Sequence, residues 1–279
     1  MPELPEVESV RRQLVPVLTG RRVDDVWWDA SPSARFHAVE QLPGQRITRV
    51  ERRGKYLLCP LAGPGEPREL VLHLGMTGSL RFTAAPVGTQ DPDGGLTHVR
   101  ARLTLDDGSV LRFRDPRRFG RLSVVTAGRY AEVVPTLAVL GPEPLSAAFR
   151  VEAFAAALAA TRAPVKARLL DQRLVAGVGN IYADEALWRA RIHPRSRRVG
   201  PRRAAVLHAA IVAVLRAAVE REGTTFRDYE MVNGRSGRYA SELDVYGKHG
   251  QPCRRCGSIL RRDVVAQRGT TYCPSCQRA

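Results

Sequence analysis

The C-terminal end of the chain carries a cysteine pattern that few folds can accommodate. Cys253 and Cys256 form one CxxC pair, and Cys273 and Cys276 form a second pair after sixteen intervening residues. Two pairs at this spacing can supply four thiolates to a tetrahedral zinc ion. Because four thiolates leave no open coordination position, the ion would fold the tail and catalyse nothing. We predict one structural Zn²⁺, with a redox dithiol as the alternative.

The residues between the two cysteine pairs predict a β-hairpin that presents cations and hydrogen-bond donors. Arg261, Arg262, Gln267 and Arg268 lie there, followed by Thr270 to Tyr272. Such side chains are suited to contacting phosphate groups. The fifth cysteine, Cys59, stands alone in an apolar run and is predicted to be a core residue.

The charge of the chain points to a polyanionic partner. Lysine and arginine total 44 against 28 acidic residues, a formal net charge of +16. Nucleic acid is the expected partner, although an arginine-rich coding bias would produce the same excess. No apolar run approaches the roughly 18 residues needed to cross a bilayer, and the N-terminus lacks the pattern of a signal peptide. We therefore expect a cytoplasmic protein without a membrane partner.

The first residues predict a helix that begins at once. Pro5 suits a first helical turn, and one face is apolar, formed by Leu4, Val7, Val10, Leu14 and Leu18. Pro16 should kink or end this helix, and Gly20 is a plausible stop. Taken alone, Pro2 and Glu3 would be an ordinary helix cap.

The remainder separates into a strand-rich part and a helical part. Turn signals divide eight candidate strands, at 23–28, 47–51, 56–61, 69–73, 79–83, 99–105, 110–114 and 121–125, which suggests a sandwich or barrel. Residues 84–96 are predicted to form a mobile loop. Helices are predicted at 147–161, 165–170, 181–190 and 201–222, and a glycine- and arginine-containing loop at 223–241. The predicted domains are 1–131, a linker at 132–146, 147–244 and a zinc finger at 245–279.

A glycine turn between two of these helices predicts an anion site. Gly177 and Gly179 allow unusual backbone angles, and Asn180 is a good N-cap for the helix that follows. Free N–H groups at a helix start bind phosphate. The motif is weak on its own, since many helix starts look alike.

Taken together, separated motifs make the chain resemble the formamidopyrimidine-DNA glycosylase family, which includes endonuclease VIII. The motifs are residues 2–8 (PELPEVE), 53–56 (RGKY), 115–120 (DPRRFG), 176–183 (AGVGNIYA), 245–247 (VYG) and the finger ending at 273–277 (CPSCQ). The resemblance covers essentially the whole chain. It implies an α+β fold: an N-terminal β-sandwich with a catalytic N-terminal helix, then a helix–two-turn–helix domain with a C-terminal four-cysteine zinc-finger β-hairpin.

The resemblance also implies a bifunctional glycosylase and abasic-site lyase of base-excision repair. Removal of Met1 would free the Pro2 amine, which would attack the sugar to form a Schiff base, and Glu3 would act as general acid and base. Lys55 and Arg268 match residues that assist the subsequent eliminations. The implied product is a strand nicked by β,δ-elimination.

Residues expected to contact DNA follow from the same resemblance. Met76, Arg117 and Phe119 would fill the space left by the extruded base, and His73 belongs to the Met76 motif. Backbone contacts are expected from Asn180, His98, Tyr246 and Arg162. The expected partner is duplex DNA containing oxidised bases or abasic sites, bound by a monomer that associates with the nucleoid through DNA.

Leu4 favours the branch that removes oxidised purines such as 8-oxoguanine and formamidopyrimidines. An endonuclease VIII-like enzyme for oxidised pyrimidines is one alternative, and a non-catalytic zinc-finger DNA-binding protein is another. Two departures from the family leave the order of preferred lesions open. Leu96 and Thr97 precede His98 where an acidic residue is frequent, and Arg238 stands where an aromatic residue is common.

Overall fold

The computed structural model describes residues 2–30, 35–85, 93–224, 232 and 238–279. The chain forms two units, one of Met1–Ala138 with Glu222–Arg238 and the other of Val139–Arg221 with Tyr239–Ala279. The domain boundaries predicted from sequence place residues 222–238 with the helices, whereas this segment belongs to the first unit. Each unit has its own hydrophobic core.

The first unit begins with helix α1, Leu4–Leu18. Its predicted apolar face is buried, which fixes the helix on the core of this unit. The prediction for Pro16 is wrong as to the helix end, because α1 continues to Leu18. Pro16 has no N–H, so only the carbonyl of Arg12 loses its helical hydrogen bond. Arg12 is exposed near the helix end, where water can replace the lost donor.

Two sheets pack against this core and confirm the predicted β-sandwich. The smaller sheet has the order β1-β8-β9-β7 and is antiparallel throughout. Its strands are β1 (Val23–Trp28), β7 (Ser79–Thr83), β8 (Val99–Leu105) and β9 (Val110–Arg114). Alternate residues of β8 are buried, as expected for a sheet with one face on the core.

The larger sheet has the order β2-β10-β6-β5-β3, with β4 also paired to β5. Only the β2–β10 pair is parallel among the pairs described. Its strands are β2 (Phe36–His37), β3 (Arg46–Ile47), β4 (Glu51–Arg53), β5 (Tyr56–Ala62), β6 (Arg68–His73) and β10 (Arg121–Thr126). Cys59 lies in β5 and is fully buried, as predicted.

The single strand predicted at 47–51 is instead two short strands, β3 and β4, along one edge of β5. Thr48 still donates its N–H to the carbonyl of Pro60 at 2.9 Å. Pro60 has no N–H to return a hydrogen bond, so the regular ladder cannot continue through this point.

The second unit is helical and carries the C-terminal hairpin. Its helices are α3 (Val151–Ala159), α4 (Val165–Leu170), α5 (Asn180–Arg189) and α6 (Pro201–Glu220), and its hairpin pairs β11 (Arg261–Val265) with β12 (Arg268–Tyr272). The predicted hairpin is confirmed. Helix α3 begins four residues later than predicted. A short helix, α2 (Pro135–Ala138), lies at the end of the first unit, in the stretch predicted as linker.

The predicted loops lie partly outside the described residues, which exclude 86–92, 225–231 and 233–237. Tyr239–Glu242 forms a 3₁₀ turn where loop was predicted. Helices long and apolar enough to cross a membrane are absent from the described parts of the chain.

Candidate active site

The tip of α1 holds the two residues predicted to carry the chemistry. Pro2 is buried, and Glu3 is 1% exposed. Glu3 is the N-cap of α1 and closes a capping box: its carboxylate accepts from the backbone of Glu6, whose Oε2 accepts from Glu3 N at 2.8 Å. The cap thus holds Glu3 in a fixed position beside Pro2.

Glu6 also binds the start of the loop that follows α6. Its Oε1 accepts from Thr224 N at 2.7 Å and from Thr224 Oγ1 at 3.0 Å. Gly223 is required there, because its φ is +79° and an added Cβ would lie 2.6 Å from Glu6 Oε1. The first turn of α1 and the base of this loop are therefore one hydrogen-bonded structure.

Lys55 lies in the two-residue turn between β4 and β5. Gly54 takes a φ of +56° in this turn, and Lys55 is 9% exposed. The strand before the turn is tied to α1, because Arg52 Nε donates to Glu8 Oε2 at 3.2 Å. Helix α1 thus helps to hold the turn that carries Lys55.

His73 ends β6 and faces Tyr56, the residue after Lys55. The two are register partners, with ring centroids 4.7 Å apart. Burial, together with the charges of Lys55 and Arg121, lowers the pKa of His73 to about 4. Its Nδ1 accepts the N–H of Gly75 at 3.1 Å, so the neutral ring carries its proton on Nε2 and can donate from there.

We expect His73 to remain neutral down to about pH 4. An unfolded histidine titrates near pH 6.5, so the unfolded chain binds more protons in the interval between these values. The contribution of neutral His73 to stability is complete above about pH 6.5 and is lost as the pH falls toward about 4. NMR titration of the imidazole C–H signals, with His73→Gln for assignment, measures the midpoint. A midpoint at or above about 6.5 would contradict the expectation.

Met76, Arg117 and Phe119 lie on two neighbouring turns of the first unit. Met76 follows β6, and the other two lie in the β9–β10 connection. Phe119 is 40% exposed, and the guanidinium of Arg117 is 5.1 Å from its ring centroid. An exposed aromatic ring with a cation over it is available to a base stack. These three side chains are called the wedge below.

Two further predicted contacts are exposed residues outside regular structure. His98 takes a φ of +63° just before β8, and Arg162 lies between α3 and α4. In the described parts of the chain, neither shares a hydrogen bond with another predicted site residue.

In the second unit, Asn180 and the strand of Arg268 are joined directly. Asn180 Nδ2 donates to Gly269 O at 3.0 Å, and Arg268 is the exposed first residue of β12. Asn180 is the first helical residue of α5, and Gly179 is the N-cap, so the predicted cap role of Asn180 is wrong. Its amide reaches across to the hairpin, and glycine fills the cap position instead.

A buried ion pair supports the same hairpin. Lys166 Nζ lies 2.7 Å from Asp184 Oδ1, and both side chains are 0% exposed. Lys166 also donates to Thr270 Oγ1 at 2.8 Å, while Asp184 Oδ2 accepts from Thr271 N at 2.9 Å. These bonds fix β12 on helices α4 and α5.

Glu185 fixes the turn that carries Tyr246. Its carboxylate accepts from the backbone N–H groups of Asp244, Val245 and Tyr246 at 2.8 to 2.9 Å. Burial raises the pKa of Glu185, although these three donors oppose the shift. Sequence reasoning overlooked Lys166, Asp184 and Glu185. The signal was present, because charged residues stand among apolar ones that helices α4 and α5 bury.

The four C-terminal cysteines converge on one point. Their sulfur atoms all lie within 4.8 Å of one another, and Cys256 Sγ is 3.5 Å from Cys273 Sγ. A tetrahedral zinc ion with bonds of about 2.3 Å requires sulfurs about 3.8 Å apart, so the cluster fits the ion. Trp188 Nε1 donates to Cys253 Sγ at 3.4 Å, and this hydrogen bond orients the cysteine as a zinc ligand.

Family models match three successive parts of the chain. They are the formamidopyrimidine-DNA glycosylase N-terminal domain at residues 1–122, the H2TH domain of the same glycosylase at 140–230, and the zinc finger found in FPG and IleRS at 250–279. A formamidopyrimidine-DNA glycosylase of Deinococcus radiodurans is 44% identical over 287 residues, covering 99% of this chain and 97% of its own length.

The chain belongs to the formamidopyrimidine-DNA glycosylase family. Two solved structures agree with this assignment. The crystal structure of the MutM (Fpg) protein of Thermus thermophilus has a TM-score of 0.88 and 46% identity, covering 99% of this chain and 98% of its own. A MutM solved with DNA containing carbocyclic 8-oxo-G has a TM-score of 0.87 and 32% identity, covering 100% of both chains.

Family membership confirms several predictions made from the sequence motifs. The chain is an enzyme of this glycosylase family, its fold is α+β as expected, and its C-terminal cysteines form a zinc finger for one structural ion.

Proposed function

We propose that this protein is a bifunctional DNA glycosylase and abasic-site lyase that removes oxidised purines, 8-oxoguanine and formamidopyrimidines, from duplex DNA. It would act as a monomer in the cytoplasm, associated with the nucleoid through DNA. The relative solved with 8-oxo-G DNA and the match to the formamidopyrimidine-DNA glycosylase N-terminal domain support the purine branch.

The observation that carries this proposal is the arrangement at the tip of α1. Glu3 is nearly fully buried, and the capping box fixes it directly beside Pro2. Once Met1 is removed, Pro2 presents a secondary amine, a nucleophile that can form an iminium with a sugar carbon. An α-amino group titrates near pH 8, so part of it is neutral at physiological pH.

The proposed reaction begins with extrusion of the damaged nucleotide. The Pro2 amine attacks C1′ and displaces the base, while Glu3 transfers protons at the deoxyribose as its ring opens. The resulting iminium acidifies the C2′ proton. Loss of that proton expels the 3′ phosphate by β-elimination, and a second elimination expels the 5′ phosphate.

Cations and hydrogen-bond donors would hold the phosphates. Lys55 and His73 lie together in the first unit, and the neutral His73 ring can donate from Nε2. In the second unit, Arg268 lies on the hairpin, and Asn180, at the start of α5, donates to the hairpin residue Gly269. Arginine is a poor proton donor, so Arg268 is assigned to phosphate binding. Additional backbone contacts would come from His98, Tyr246 and Arg162.

Cleavage of a small lesion panel tests the proposal. Duplexes with 8-oxoguanine, thymine glycol or a preformed abasic site are incubated with the mature protein, with and without borohydride. We expect cleavage of the 8-oxoguanine and abasic duplexes and a trapped covalent complex. Cleavage of the thymine glycol duplex alone would indicate the endonuclease VIII-like alternative. Binding without trapping, with Pro2 confirmed free, would indicate a non-catalytic DNA-binding protein.

A further inference from the structure

A buried carboxylate lies beneath the wedge. Asp115 follows β9 and is 0% exposed. Its Oδ1 accepts from Thr77 Oγ1 at 2.6 Å and from Arg117 N at 3.3 Å, and its Oδ2 accepts from Gly120 N at 2.7 Å. Thr77 is the neighbour of Met76. Asp115 therefore joins the turn that carries Met76 to the turn that carries Arg117 and Phe119.

The two turns are in direct backbone contact. A Cβ added at Gly75 would lie 2.5 Å from Gly120 N and from the carbonyl carbon of Phe119, and Gly75 has a φ of +63°. No side chain fits between the turns at this point, so a movement of one displaces the other. The contact explains why glycine stands immediately before Met76.

A second set of contacts also holds the Phe119 turn. Arg100 Nε donates to the carbonyl of Asp115 at 3.0 Å, and its guanidinium also binds Asp29 at 3.0 Å. Arg118, with a φ of +56°, reaches the same Asp29 carboxylate at 2.7 Å. The backbone of this turn is thus held in a conformation that a non-glycine residue seldom adopts.

We propose that Asp115 is a positioning residue that locks the wedge in the shape needed to replace an extruded base. Met76, Arg117 and Phe119 must enter the duplex together, because each fills part of one gap. A wedge that is already assembled loses little conformational entropy on insertion. Asp115 supplies this order through hydrogen bonds that involve a charged acceptor and are shielded from water. The inference rests on the proposed function.

Two substitutions separate positioning from general stability. Asp115→Asn keeps the size of the side chain but replaces one acceptor oxygen with an N–H donor, which leaves Gly120 N or Thr77 Oγ1 without its acceptor. Thr77→Val keeps the shape of the other partner and removes only its hydroxyl. Asp107→Asn is the matched control, because Asp107 Oδ1 accepts from Ser109 N at 3.0 Å in the β8–β9 turn, outside the wedge.

The readout compares two substrates under single-turnover conditions. A duplex containing 8-oxoguanine requires a base to be unstacked, whereas a duplex with a preformed abasic site does not. For Asp115→Asn and Thr77→Val we expect excision to slow about tenfold or more, with abasic-site cleavage within about threefold of the unsubstituted protein. The fluorescence of 2-aminopurine beside the lesion should show slower unstacking. Asp107→Asn should leave both rates unchanged.

The outcomes distinguish this inference from the proposed function. If the unsubstituted protein cleaves neither substrate, the proposed function fails. If it cleaves both substrates, and the ratio of the excision rate to the abasic-site cleavage rate is the same in the variants, the inference fails. Equal slowing on both substrates by a folded variant would assign Asp115 a general structural role and would also overturn it. Should Asp115→Asn not fold, as judged by thermal unfolding, the ratio for Thr77→Val decides.

Discussion

A chain that retains an extension ahead of Pro2 is expected to lose base excision and borohydride trapping by a factor of about 10³ or more, because its nucleophile is then an amide. Amide nitrogen cannot form an iminium with the sugar. Pro2 and Glu3 are both buried, so the added residues would also have to pass from this buried position to the solvent. Gel analysis of trapped complexes and single-turnover excision measure the loss.

The control is the same protein after a protease has removed the extension, so that Pro2 is the first residue. This cleavage should restore full activity. An equal extension placed at the C-terminus should have no such effect on trapping. Pro2→Gly provides a graded case, because a terminal primary amine can still form a Schiff base and should keep part of the lyase activity. A covalent complex that forms as well with the blocked chain would show that another amine is the nucleophile.

Replacing Cys273 with serine is expected to weaken binding to lesion-containing duplex by about 10²-fold, because the zinc site contributes several kcal/mol of folding free energy to the hairpin. Cys273 is fully buried in the cluster, and its N–H donates to Gln277 Oε1 at 2.7 Å. Without the ion, β11 and β12 lose the anchor that presents Arg268. Zinc content and fluorescence anisotropy, at one fixed salt concentration, measure the two effects together.

Cys59→Ala is the matched control for this substitution. Cys59 lies in the core of the first unit, so its removal changes the cysteine number but leaves the zinc site intact. It should retain the metal and the affinity, at the cost of a small cavity. A Cys273→Ser protein that loses zinc but binds the duplex as tightly as before would exclude the hairpin from the DNA-binding surface.

Local patterns predicted most elements of the fold because their signals are short-range. The apolar spacing of α1 and the alternation of β8 both follow from the period of the element itself. The predictions were wrong where the local structure depends on a residue elsewhere in the chain. Pro60 interrupts an edge that β3 and β4 share, and no pattern within residues 47–51 contains that information. Asn180 likewise has the sequence signature of an N-cap, but in the folded chain its amide donates to Gly269 of the hairpin.

The sequence by itself determined the zinc site, the family and the candidate chemistry at Pro2 and Glu3. These depend on residue type and spacing, which are visible along the chain. Only the tertiary structure decided which carboxylates hold the candidate site residues in place: Glu6 through Thr224, Asp115 through Thr77 beside the wedge, and Asp184 through Thr271 of the hairpin. Each joins segments distant in sequence, and a buried charge is stable only where folding brings its partners to it.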